Sequence, residues 1–71
     1  MNLISLVELL LKIENINQEV LTDSVKELFK NYPTRKLQIV YGIDCQLDLI
    51  KLEYYHGRRI REYNVYQRIK D

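Results

Sequence analysis

Arginines interleaved with tyrosines are the residues of this sequence best suited to bind a ligand. Arg58, Arg59, Arg61 and Arg68 lie in the last third of the chain, close in sequence to Tyr54. Guanidinium groups bind phosphates through paired hydrogen bonds, and tyrosine rings stack on unpaired bases. The segment therefore predicts a nucleic-acid-binding hairpin as one of two candidate functions.

The charge of the chain is divided between its ends. Residues 51–71 contain six basic and three acidic side chains, a net charge of +3, whereas residues 1–33 contain three basic and five acidic ones, a net charge of −2. An acidic front half repels phosphate unless it faces away from the ligand. The nucleic-acid hypothesis thus depends on how the fold separates the two halves.

Cys45 and His56 are the only residues that suggest a catalytic pair. A thiol nucleophile needs a base within hydrogen-bonding reach. Cys45 falls on the apolar side of a predicted strand, a position typical of an inert buried thiol, and His56 precedes Gly57 in a predicted turn. Each is the only residue of its type, so no zinc pattern is present, and no glycine-rich phosphate loop occurs. We expect no enzymatic activity, no cofactor and no metal.

The N-terminal helix is too apolar for one small monomer. Its aliphatic residues span about 200° of the helical wheel, whereas a surface helix needs about 100° to pack on one core. The excess predicts a second apolar contact, most simply with another copy of the chain, or with a protein partner whose identity the sequence leaves open. The predicted interface consists of Val7, Leu11, Leu3 and Ile4.

Two helices and three strands account for the chain. Ser5 and Glu8 form a capping-box pattern that begins a helix over about 5–15, and a second helix is predicted over about 18–31, before Pro33. The periodicity then changes from 3.6 to 2, which predicts strands over about 35–43, 47–56 and 59–69. The predicted fold is a single α+β domain over 1–71, an N-terminal αα-hairpin packed on a three-stranded antiparallel β-meander.

The C-terminal hairpin has alternative interpretations. A type II′ turn at Gly57-Arg58 opposes Leu52 with Tyr63 and gives a mostly apolar face, although it also opposes Glu53 with Glu62. A turn at 56–57 relieves that like-charge pair but matches fewer apolar residues. A helix over 59–70 is the third alternative, and the density of Tyr, Val and Ile favours strand.

The alternating and helical patterns also predict the core. Its expected members are Leu6, Leu10, Ile13, Leu21, Val25, Leu28, Phe29, Leu37, Ile39, Tyr41, Ile50, Leu52, Tyr63 and Val65.

Composition bounds the class and location of the protein. A hydrophobic content of 46% with 30% charged residues is typical of a globular chain rather than a disordered one. Glu8 and Lys12 interrupt the N-terminal apolar run, and no basic segment precedes it, so we expect neither a membrane span nor a signal peptide. A single cysteine suits the reducing cytoplasm.

Together these features predict a small, non-enzymatic regulatory module for protein–protein interaction, of adaptor or inhibitor type, that acts as a homodimer. Nucleic-acid binding by the C-terminal hairpin is the alternative. By analogy, a short chain without motifs is typical of phage and mobile-element regulators.

Overall fold

Two N-terminal helices precede a three-stranded antiparallel sheet of order β1-β2-β3 in the computed structural model, which describes residues 2–69. The predicted ααβββ arrangement is thereby confirmed. The elements are α1 (Leu3–Ile13), a 3-10 turn (Gln18–Val20), α2 (Asp23–Asn31), β1 (Thr34–Tyr41), β2 (Leu47–His56) and β3 (Arg59–Gln67).

Helix α1 begins two residues earlier than the sequence pattern predicted. The side-chain oxygen of Asn2 accepts a hydrogen bond of 2.8 Å from the backbone N–H of Ser5, so Asn2 rather than Ser5 is the N-cap. The helix ends where Asn15 adopts a positive φ of 56°. The N–H of Ile16 then donates to the carbonyl of Leu11 at 2.8 Å, which is the closing bond of a Schellman motif.

Helix α2 is shorter than predicted, because a 3-10 turn occupies the first part of the expected helix. Thr22 caps α2 by accepting a hydrogen bond of 3.5 Å from the N–H of Val25. The helices are joined by polar contacts: Lys26 forms an ion pair with Glu8 at 3.2 Å, and the Gln18 side chain donates to the Glu8 carbonyl at 3.1 Å. These contacts place α2 against the Glu8 side of α1.

The hairpin between β2 and β3 has the predicted register near its turn. Leu52 pairs with Tyr63, and Gly57 has the positive φ of 63° that a type II′ turn requires at its first central residue. Residues 59–67 are a strand, so the helical alternative was wrong. An irregularity between the Ile50 and Lys51 rungs shifts the pairing beyond it, so that Ile50 opposes Tyr66 instead of Val65.

The pair of opposed glutamates that counted against this register is present, and each glutamate has a cation beside it. Glu53 lies opposite Glu62, as the register requires. Arg35 of β1 contacts Glu53 at 2.6 Å, and Lys51 contacts Glu62 at 3.8 Å. Each carboxylate thus has its own cation, which removes the repulsion that the sequence pattern suggested.

The core lies between the two helices and one face of the sheet. The residues Ile50 and Leu52 of the central strand β2 are fully buried on that face, whereas Lys51 between them faces away from the helices. The buried apolar residues are Val7, Leu11, Leu21, Val25, Phe29, Leu47, Ile50, Leu52, Tyr54 and Val65.

The orientation of α1 differs from the one predicted. Val7 and Leu11, expected on the surface, are fully buried, whereas Leu6 and Ile13, expected in the core, are exposed. An apolar arc of about 200° can be buried in more than one rotation, so the pattern alone did not fix the angle. The observed rotation places Glu8 beside Lys26 of α2.

Strand β1 is less covered than predicted. Ile39 and Tyr41 were expected in the core and are exposed, while Leu47 and Tyr54 of the central strand are buried in their place. Because β1 is an edge strand, the two helices cover only part of its length.

We expect Leu11→Ala to lower the free energy of unfolding by about 2–5 kcal/mol, because it opens a cavity in the core. Ile43→Ala, at a fully exposed position in the turn after β1, is the control and should change it by less than about 0.5 kcal/mol. Urea denaturation followed by circular dichroism measures both. Equal effects of the two substitutions would contradict the observed burial of α1.

Candidate functional site

Three arginines lie together at the end of the β2–β3 hairpin, and we call Arg58, Arg59 and Arg61 the basic tip. Arg58 lies in the two-residue turn, while Arg59 and Arg61 pair with His56 and Tyr54 across the hairpin. All three arginines are exposed. Their side chains form no ion pair or hydrogen bond with any residue between Asn2 and Ile69.

The basic tip projects beyond the edge strand of the sheet. The first residue of β1, Thr34, pairs with Tyr54, and the N–H of Tyr55 donates to the carbonyl of Pro33 at 2.8 Å, so the hairpin from His56 onward has no third strand beside it. Tyr32, just after α2, supports this part: its ring lies 5.7 Å from the ring of Tyr54 and 5.0 Å from that of His56, measured between centroids. The tip is therefore a short two-stranded ribbon that aromatic packing supports on one side.

Tyr54 does not serve as the exposed stacking platform that the sequence suggested. It is buried, because it lies on the helix-facing side of the central strand and Tyr32 packs against its ring. The prediction that Tyr54 stacks on a base was wrong in this respect, and the basic tip keeps its arginines without an exposed tyrosine on the same face.

Arg68 belongs to a different structure, at the opposite end of the sheet. Its guanidinium contacts Asp44 at 2.8 Å and Asp48 at 2.7 Å, and it donates to the side-chain oxygen of Gln46 at 2.7 Å. We call this set the Arg68 clamp. Because carboxylates already occupy the guanidinium, the prediction that Arg68 is a free phosphate ligand was wrong.

The clamp depends on a close approach at Gly42. A Cβ atom at this position would lie 2.8 Å from a carboxylate oxygen of Asp44 and 2.8 Å from one of Asp48. The hydrogen bond from Arg68, followed by that from the backbone of Gln46, lowers the pKa of the Asp44 carboxyl below its usual value. The same bond to Asp44 raises the pKa of Arg68. The clamp is therefore a charge-assisted closure of the β1–β2 turn onto the end of β3.

Two of the four residues of the predicted helix interface are buried in the core, and the other two are half-buried. Val7 and Leu11 are core residues and cannot contact a partner in the folded chain. Leu3 and Ile4 are half-buried and line a groove between the start of α1 and α2. The exposed residues of α1 are instead Leu6, Leu9 and Ile13, which the sequence pattern had not assigned to an interface.

Exposed residues of α1 and β1 lie on one side of the molecule. The hydroxyl of Tyr41, near the end of β1, donates to the Glu14 carboxylate at 3.4 Å, and Thr34, at its start, shares a groove with Leu3. Helix α1 therefore runs along β1 in the same direction. Glu8 faces α2, and the exposed leucines and isoleucine of α1 lie about 100° to 160° around the helix from it.

Ile39 and Tyr41 of β1, the strand that α1 runs along, are also exposed. We call the set the outer apolar surface: Leu6, Leu9, Ile13, Ile39 and Tyr41. The wide apolar arc of α1 predicted that such a surface exists, but it did not predict which edge of the arc forms the surface. The helical pattern does not show which edge it is, because the rotation is associated with the contact between Glu8 and Lys26, which are distant in sequence.

Cys45 and His56 are not brought together. Cys45 lies exposed in the turn before β2 with a positive φ of 61°, not on the buried side of a strand as predicted, and His56 ends β2. The ten residues of that strand separate them by about 30 Å. Within residues 2–69, no three metal-binding side chains cluster to hold an ion, and neither helix has the length and apolarity to cross a membrane.

We found no protein-family model, curated protein or solved structure that matches this chain. The candidate surfaces are therefore defined by geometry alone: the basic tip, the outer apolar surface and the Arg68 clamp.

We expect Arg68→Gln to raise the pKa of Asp44 toward its ordinary value, because the strongest hydrogen bond to the ionised carboxylate is lost. A lowered folded-state pKa contributes stability that is fully present above the unfolded value of about 3.9 and is lost as the pH falls through the folded value. The acid-induced loss should therefore be smaller in the variant. NMR titration of the Asp44 carboxyl measures the shift directly.

Arg61→Gln removes an arginine without a carboxylate partner and is the matched control, which should leave the Asp44 titration unchanged. An Asp44 titration that is the same in Arg68→Gln and in the parent protein would contradict the role assigned to the clamp.

Proposed function

We propose that this protein is a small, non-enzymatic interaction module that acts as a homodimer through the outer apolar surface, in a regulatory role of adaptor or inhibitor type. The observation that carries the proposal is the exposure of Leu6, Leu9 and Ile13, at 39%, 43% and 69%, along one flank of α1. Exposed apolar side chains that are contiguous mark interaction sites more often than isolated ones do.

The size of the surface suits a dimer contact. Taking about 200 Å² for a fully exposed large apolar residue, the outer apolar surface presents about 450 Å². The largest apolar patch of a typical monomer is about 300–600 Å² and is often functional, and a standard interface buries about 800 Å² per partner. Apolar residues therefore supply about half of such an interface, with polar neighbours supplying the rest.

The edge of β1 adds directional contacts to the apolar ones. As the first strand of the order β1-β2-β3, β1 has one side with unpaired backbone donors and acceptors. The pairing with β2 is regular over 36–40, between irregularities at both ends. A second copy approaching about a two-fold axis can pair its own β1 with this edge and bring the two α1 flanks together.

A second copy is favoured over an unrelated partner by the chemistry of the surface. None of its five residues is charged, and the nearest carboxylate, Glu14, accepts a hydrogen bond from Tyr41. Partial desolvation of the hydroxyl, then the Glu14 charge, raises the pKa of Tyr41, and the protonated hydroxyl donates to Glu14. A neutral, self-complementary surface meets no repulsion when it faces its own copy. The free, exposed Cys45 suits a reducing compartment such as the cytoplasm.

We expect the parent protein to have twice the chain mass of 8.6 kDa in solution, and Leu9→Gln combined with Ile13→Gln to reduce it to the chain mass. The double substitution removes apolar area without adding charge, and both positions are exposed in the folded chain. Size-exclusion chromatography with light scattering measures the mass, and circular dichroism confirms that α1 is retained.

The matched control is Ile43→Gln combined with Ile69→Gln, at exposed positions outside the outer apolar surface. This pair removes more exposed apolar area than the test pair and should still leave the mass unchanged. A parent protein that is monomeric at high concentration, or equal effects of the two pairs, would refute the proposal.

A further inference from the structure

We infer that the basic tip is a binding site for duplex DNA, with the end of the β2–β3 hairpin entering the major groove and its arginines contacting the flanking phosphates. This inference is independent of the proposed homodimer. The basic tip lies beyond the Thr34 end of β1, whereas Ile39 and Tyr41 of the outer apolar surface lie toward the other end.

The charge of the basic tip is not used by the fold. Four other cations each contact a carboxylate within 4.0 Å: Lys26, Arg35, Lys51 and Arg68. The three arginines of the tip contact no carboxylate within the described residues 2–69, although they are closely spaced and repel one another. A hairpin turn does not require arginine, because glycine at its first central position already supplies the geometry. Three uncompensated guanidinium groups on one exposed ribbon therefore indicate an anionic ligand.

The spacing of the arginines suits a phosphate backbone. Arg59 and Arg61 are two residues apart on a strand, so their side chains leave the same face about 7 Å from each other. This separation is comparable to that of successive phosphates along a nucleic-acid strand. Arginine also binds phosphate with two parallel hydrogen bonds, which lysine cannot form.

The shape of the tip favours duplex DNA over other nucleic acids. The DNA major groove is about 12 Å wide and about 8.5 Å deep and admits a two-stranded β-ribbon, whereas the major groove of duplex RNA is too narrow for side chains to read. Single strands are bound largely by stacking on exposed aromatic rings. Tyr54 is buried, and Tyr32 packs against His56. Tyr55 is 41% exposed but lies on the opposite face of the hairpin from Arg59 and Arg61, so none of these rings is exposed beside the two arginines.

The acidic groups that could repel DNA either lie away from the tip or are paired with a cation. Asp44 and Asp48 are held by Arg68 at the far end of β2, about 30 Å from the turn at Gly57. Glu14 lies at that end as well, beside Tyr41. Near the tip, Glu53 is paired with Arg35, and Glu62, which follows Arg61, is paired with Lys51. The approach of a polyanion to the tip therefore meets net positive charge.

The test is fluorescence anisotropy of a short labelled DNA duplex of mixed sequence, titrated with the full chain between about 50 mM and 200 mM salt. We expect Arg59→Gln combined with Arg61→Gln to weaken binding more than tenfold at the lower salt concentration. The slope of log K against log salt should become shallower by about 1.8, since each lost phosphate contact removes about 0.9.

Lys12→Glu is the control, because it lowers the net charge by the same two units at an exposed residue of α1 away from the tip. It should change the affinity by less than about twofold, and the arginine variant should keep the oligomeric state of the parent. Single-stranded DNA of the same sequence as the duplex, and an RNA duplex of that sequence, should both bind more weakly than the DNA duplex. Absence of binding, equal loss with Lys12→Glu, or equal or tighter binding of either alternative probe would overturn the inference.

Discussion

The burial of one face of the central strand β2 is the constraint on which the rest of the structure depends. Ile50 and Leu52 are completely enclosed, and both helices converge on them. The helices have eleven and nine residues, or about 16 Å and 14 Å, whereas the ten residues of β2 extend about 33 Å. Helices of this length cannot cover the whole sheet, so the outer side of β1 and the end of the β2–β3 hairpin remain uncovered. Both candidate surfaces are thus consequences of one limited core.

The element order and most of the hairpin register could be predicted because they depend on local patterns. Gly57 fixes the turn, and matching of apolar residues over several rungs outweighs one unfavourable pair. What the hairpin sequence could not supply was the reason why Glu53 tolerates Glu62 opposite it. That reason is Arg35, which lies on β1 and approaches only when the sheet forms. The register was therefore predictable, but its electrostatic balance was not.

The candidate site was harder to predict because it depends on partners distant in sequence. The rotation of α1 is associated with contacts of Glu8 with Lys26 and of Glu14 with Tyr41, and no helical pattern contains that information. Tyr54 is removed from the surface by Tyr32, and Arg68 is neutralised by the turn after β1. In each case the residue type suggested a role, and a contact with a residue distant in sequence gave the side chain a different environment. Arg58, Arg59 and Arg61 kept the predicted exposure because none of the acidic residues between Asn2 and Ile69 pairs with them.

The Arg68 clamp makes the sheet mechanically asymmetric. At its end of the molecule all three strands are fastened, β1 to β2 by their turn and β3 by the guanidinium that grips Asp44 and Asp48. At the opposite end β2 and β3 are joined by their pairing and the turn at Gly57, Tyr32 packs on one side of the hairpin, and the residues around the turn are exposed. The hairpin is therefore fixed at the Arg68 end and less restrained at its tip. The tip can bend to follow a curved surface without changing the core, because the core lies toward the fixed end.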